Sequence, residues 1–98
     1  MIESDRGHLE GIRHQLKLYS LGQLDLAGLI ASLESLLELL ETVSDEWRDA
    51  FREQWGILEQ IYSMAVVNYD DVETEANRAL LAPPLRRLAE LVDGVIDS

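Results

Sequence analysis

The chain has 98 residues, 47% of them hydrophobic, a net charge of −11, two prolines, six glycines and no cysteine. That length makes one domain, residues 1–98, and the composition is that of a folded protein, not a disordered one. Without cysteine there is no disulfide framework, no thiolate zinc site and no thiol catalysis. The charge is unevenly placed. Residues 25–75 carry thirteen acids against Arg48 and Arg52 alone, which accounts for the whole net charge, whereas the two ends are balanced. So one-sided a field repels nucleic acid and anionic membranes and attracts basic partners, so direct nucleic-acid binding is excluded.

The first ten residues contain acids and no apolar core segment, so no signal peptide is expected there. The leucine-rich run from Leu24 to Leu40 is interrupted by Asp25, Glu34 and Glu38 and cannot cross a membrane. The expected compartment is the cytoplasm.

Leu, Glu, Ala and Arg dominate and strand-type runs are absent, so the expected class is all-α. A first helix is predicted from about Ile2 to Tyr19, with Leu9, Ile12, Leu16 and Tyr19 at three- and four-residue steps. The break falls in Ser20–Gln23. A second helix, about Leu24 to Thr42, has Asp25 as N-cap and a leucine stripe from Leu26 to Val43. A third begins at Ser44 as N-cap, with Asp45 and Glu46 in its first turn, and reaches about Val67. Its apolar arc, from Trp47 to Ala65, covers about half the cylinder, which marks it as the central helix. A turn over Asn68–Asp71 follows, where Asp70 and Glu73 have capping-box spacing. A fourth helix runs to about Ile96 and is expected to be kinked or split at Pro83-Pro84. Short links imply an up-down antiparallel bundle of about four helices.

Chemistry has few candidates. Glu10 and His14 are four residues apart and could share a metal with Asp5 or Glu3, but solvated polar residues beside an apolar stripe explain them better. Glu-x-x-His pairs, phosphate-binding glycine loops and a serine elbow are absent. Every carboxylate is expected outside the core stripes, where nothing raises its pKa for acid-base work. No catalytic residue, metal or cofactor is therefore expected.

The acids are the better lead. Glu34, Glu38 and Glu41 follow one flank of the second helix at four- and three-residue spacing with no Arg or Lys on that helix. Asp49 and Glu53 repeat the like-charge spacing on the third, relieved in part by Arg48 and Arg52. Each uncompensated pair costs about 0.2–0.5 kcal/mol. Solubility is one reason to bear that cost; a surface matched to a basic partner is the other. Asp45, Asp70 and Asp71 serve helix starts or that same surface. An anchor must accompany charge, and Trp55, at the border of the third helix's apolar arc, and Tyr69, in the acidic turn, are the candidates. Core packing competes with binding for Trp55.

From Leu33 to about Asn68 the chain resembles small bacterial immunity proteins of polymorphic toxin and contact-dependent inhibition systems. The resemblance is carried by Leu33-Glu34-x-Leu36-Leu37 and by Trp47-Arg48-x-x-Phe51-x-x-x-Trp55-Gly56-x-Leu58-Glu59-x-x-Tyr62. Gly56, on the outer face in mid-helix, points to a close backbone neighbour or a bend, since glycine there costs about 1 kcal/mol relative to alanine. What the resemblance implies is an antidote, monomer or homodimer, that binds one cognate protein toxin with a basic surface, such as a nuclease, and blocks it. A helical adaptor or homodimeric regulatory module, or a nucleic-acid mimic that occupies a basic protein, has the same charge pattern.

Overall fold

The computed structural model describes residues 3–69, 71–72 and 74–97. They form four α-helices: α1 (Glu3–Ser20), α2 (Leu26–Leu39), α3 (Asp45–Val67) and α4 (Glu75–Ile96). α1 packs on α2 and α4, and α3 packs on α2 and α4, so the helices close a ring around one core. Side-chain bonds fix the register. Trp55 of α3 reaches Ile30 of α2, while Arg48 reaches Leu37 and Leu40, so α2 and α3 run antiparallel. Trp47 reaches Leu91 of α4. The core is built from Leu9 and Ile12 of α1, Leu29 and Leu33 of α2, Phe51 and Leu58 of α3, and Leu81, Leu88 and Val92 of α4, all fully or almost fully buried. Each such side chain contributes roughly 1.5–3 kcal/mol. The fold is the expected all-α bundle of four helices.

Asp25 and Ser44 cap α2 and α3 as the sequence suggests: Asp25 Oδ1 accepts from the Gly28 amide at 2.7 Å, and Ser44 Oγ from the Trp47 amide at 3.1 Å. Gly22, at φ 75, supplies the left-handed turn between α1 and α2. α2 stops three residues before the expected Thr42, for a reason that lies outside α2. The amides of Glu41 and Thr42, which would extend the helix, donate instead to the Asp5 carboxylate at 2.9 and 2.7 Å. The Leu37 carbonyl, which also accepts from the Leu40 amide at 3.2 Å, and the Leu40 carbonyl accept from the Arg48 guanidinium at 3.0 and 2.8 Å.

Other expectations are corrected. α3 is not central: Phe51, Leu58 and Ala65 are its fully buried apolar residues, while Met64 on the same broad arc is exposed. The capping-box pair Asp70 and Glu73 lies outside the described residues, as does Ile2. The cap found for α4 is Thr74, whose side-chain oxygen accepts from the Asn77 amide at 3.2 Å. Pro83-Pro84 does not split α4, which is one element from Glu75 to Ile96. The missing amides free the carbonyls of Ala79 and Leu80, both on exposed residues, where solvent is at hand to replace the lost donors. Pro84 itself is buried in phase with Leu81 and Leu88. Gly56 has no tight neighbour: a Cβ there would meet nothing within 4 Å. No helix among the described residues is long and apolar enough to cross a membrane.

Candidate functional site

Folding turns the uneven charge of the sequence into a two-sided molecule. α2 with its N-cap Asp25, α3 and the link between them hold nine of the thirteen acids of residues 25–75, whereas six of the eight basic residues lie on α1 and α4. Glu34, Glu38, Glu41, Asp45, Asp49 and Glu53 are all exposed and, among the described residues, form no ion pair. The pairs Arg6–Glu10 (3.4 Å), Arg13–Asp93 (2.7 Å) and Arg87–Glu90 (3.6 Å) involve α1 and α4 only. Arg48 does not relieve the acids, as its spacing suggests; it is spent on the carbonyls that end α2. Arg52 makes no ion pair either among the described residues. The acidic side is thus left with more uncompensated charge than helix spacing alone implies.

Within this side the sequence candidates separate into three places. Glu34 stands at the flank of α2 that faces α3, Glu38 is exposed one turn further on, and Glu41 lies beyond the helix end, its amide held by Asp5. Asp45, Asp49 and Glu53 follow the outer face of α3. Tyr69 and Asp71 follow the far end of α3, roughly 34 Å from its first residue Asp45. Asp70 lies outside the described residues. The set does not converge on one spot.

Trp55 is both a packing residue and a surface residue. Half-buried, it packs against the core, and its Nε1 donates to the Ile30 carbonyl at 2.9 Å. It also lines an open groove of about 560 Å³ between α2 and α3. Ala27, Ile30 and Ala31 form the α2 wall; Tyr62 continues the α3 wall; Glu34 and Glu59 supply carboxylates, one from each helix. Glu59 and Tyr62 were not among the sequence candidates. Their signal was present, since Glu59 is one turn and Tyr62 two turns beyond Trp55, but only the α2–α3 register shows that Glu34 faces the same space.

Tyr69 is 97% exposed and has φ 56, a left-handed conformation that costs a non-glycine residue about 1–2 kcal/mol. It follows the last turn of α3, where Met64, Val66 and Val67 are also exposed. Their exposure follows from length. α3 has 23 residues against 14 in α2, and with Ile30 beside Trp55 its last turns run past the start of α2.

One carboxylate departs from the expectation that all lie outside the core. Asp5 is fully buried in α1, in phase with Leu9 and Ile12. Burial alone pushes its pKa up, but the Thr42 hydroxyl, the Glu41 and Thr42 amides and nearby His8 together hold it below the ordinary 3.8. Its hydrogen bonds to Glu41 and Thr42 make it a structural clamp on the α2–α3 link. Among the described residues no three His, Asp or Glu side chains are placed to share a metal ion. A second recess, about 580 Å³ between α1 and α4, is walled by Leu16, Leu85, Ala89 and Val92 and bridged by the Arg13–Asp93 pair. No protein-family model, curated protein or solved structure matches the chain.

Proposed function

We propose that this protein is an immunity protein: it binds a cognate toxin domain with a basic surface and neutralises it, and it meets that partner with its α2–α3 side. The role is binding, with no turnover. The observation that carries the reading is the segregation of uncompensated carboxylates onto one side of the bundle, where neither Arg48 nor Arg52 pairs with them. A field of that sign speeds encounter with a cationic surface and disfavours acidic competitors. The resemblance of residues 33–68 to immunity proteins adds the identity of the partner class. The test is to co-express the protein with the product of the adjacent reading frame. A soluble complex that weakens as salt is raised, together with rescue of cells from that product, supports the reading; absence of both sinks it.

A second reading, a helical adaptor or homodimer, is favoured by a different observation. Met64, Val66, Val67, Tyr69 and Leu80 leave apolar and aromatic surface exposed towards the end of the α3–α4 pair. Light scattering over a range of concentrations separates the two, since a homodimer of this kind persists at high salt and the proposed inhibitor is not required to dimerise.

A further inference from the structure

We infer that the groove between α2 and α3 is a socket for an arginine side chain of the basic partner. This rests on the reading of the acidic side as a binding surface and names the place where that surface is most selective. The groove combines three features that a guanidinium uses together. Its long walls are apolar or aromatic, from Ile30 and Ala31 on one helix and Trp55 and Tyr62 on the other. Carboxylates stand on both helices, Glu34 and Glu59. The groove is open and offers about 560 Å³, room for a guanidinium and its apolar stem. A guanidinium is flat, stacks on aromatic rings, is weakly hydrated, and offers donors in a fixed fork to carboxylates. A lysine ammonium satisfies the carboxylates but gives up the stacking and holds its water more firmly. An aliphatic side chain satisfies the walls and leaves two carboxylates partly desolvated without a partner.

Two further observations make the socket ready for a foreign cation. The indole of Trp55 is held by its bond to the Ile30 carbonyl, so its position is set before binding and little side-chain entropy remains to be lost. The chain's own cations do not fill the site. Arg48, two turns before Trp55, is committed to the Leu37 and Leu40 carbonyls, and Arg52 pairs with no carboxylate among the described residues. The net result is an aromatic-walled slot whose charge is balanced only by something from outside.

The experiment is a titration of isotopically labelled protein with N-acetyl-arginine amide and, separately, N-acetyl-lysine amide, followed by NMR. The reporters are the two indole N–H signals, assigned by Trp55→Phe, and the backbone amides of Glu34 and Glu59. Arginine amide is expected to shift the Trp55 indole and both glutamates along one saturable curve while the Trp47 indole stays still. Lysine amide binds several-fold more weakly. Combining Glu34→Gln with Glu59→Gln, both at exposed positions, weakens arginine binding by about tenfold, whereas Asp45→Asn with Asp49→Asn changes it less than about twofold. The inference is overturned if the Trp55 indole does not move, if the shifts gather on Asp45 and Asp49, or if lysine matches arginine. A complex with a basic partner that survives Glu34→Gln/Glu59→Gln at unchanged lifetime also overturns the socket while leaving the wider reading standing. Failure to find any basic partner does the reverse: the titration still decides the socket.

Discussion

Asp5 Oδ2 accepts a hydrogen bond from the backbone amide of Thr42 at 2.7 Å, tying the first turn of α1 to the link between α2 and α3. The same carboxylate accepts from the Glu41 amide at 2.9 Å and from the Thr42 hydroxyl. These donors terminate α2 and fix where Glu41 stands, so a buried residue on the α1 side shapes the acidic side.

Replacing Asp5 with alanine is expected to destabilise the fold by about 1–3 kcal/mol, because it removes charge-assisted bonds and leaves two partly buried amides without their acceptor. Asparagine is little better, since its amide group would face donors with donors. The pH dependence has a definite sign. The folded pKa of Asp5 is depressed, so its contribution is complete above the unfolded value near 3.8 and is lost as pH falls through the lower folded value. Urea unfolding of wild type and Asp5→Ala at neutral pH and at progressively acid pH should show the gap narrowing only in acid. A gap that is constant across that range, or widest in acid, contradicts the clamp.

The helices themselves were legible because each amphipathic stripe repeats at the helical period and two of the caps, Asp25 and Ser44, stand where the stripes begin. Asp5 shows where that legibility ends. It lies in phase with Leu9 and Ile12, but a carboxylate on an apolar stripe reads as a solvated end until its acceptor role is known, and its donors are 36 and 37 residues away. The end of α2 was misplaced for the same reason: Leu40 to Thr42 continue a helical pattern that long-range bonds override. At Pro83-Pro84 the helix is not split, because the two freed carbonyls belong to exposed residues and Pro84 is itself buried on the core side. For the candidate site, periodicity gave which face of α3 holds Trp55, but only tertiary register brings Glu34 and Glu59 to one groove.

Arg48 offers a second test of that long-range logic. Its guanidinium reaches two carbonyls at the C-terminal end of α2, a helix with no basic residue in its own last turn. Arg48→Met keeps the apolar stem and deletes the donors, with an expected loss of about 1–3 kcal/mol in thermal or urea unfolding. Lysine should recover part of it, since it restores the charge near the helix end but cannot span both carbonyls with a rigid fork. Provided that the variant is folded, a basic partner should bind it no less tightly than wild type, because Arg48 neutralises none of the exposed carboxylates. A marked fall in affinity for the folded variant would place Arg48 at the interface instead.

Tyr69 separates stability from binding more sharply. Its φ of 56 is comfortable for glycine and strained for tyrosine, and 97% exposure means that almost no packing repays the strain. Tyr69→Gly is expected to raise stability by about 0.5–1 kcal/mol, the left-handed penalty less the extra freedom of glycine in the unfolded chain. If the ring is an anchor for the partner, the same change lowers affinity by roughly tenfold or more. Calorimetry of the isolated protein and of the complex reads both quantities. A variant that is more stable and binds equally well removes Tyr69 from the interface.

The broadest prediction concerns rate. Changing Glu34, Glu38, Glu41, Asp49 and Glu53 to their amides removes five charges from exposed positions that pair with nothing among the described residues. Fold stability should hold or rise slightly, because like-charge repulsion at the four-residue helical spacings Glu34–Glu38 and Asp49–Glu53 is relieved by about 0.2–0.5 kcal/mol per pair. Association with a basic partner should slow by about tenfold or more at low salt, and the difference from wild type should shrink as ionic strength rises and the Debye length falls to about 8 Å at 0.15 M. Dissociation should change less, and mainly through Glu34, the one groove carboxylate in the set, since Glu59, Trp55 and Tyr62 remain to hold the anchor while the peripheral charges steer encounter. Stopped-flow association at several salt concentrations resolves the two. Equal association rates for wild type and the five-fold variant at low salt would mean that the uncompensated charge serves solubility, and that the α2–α3 side is not how this protein finds its partner.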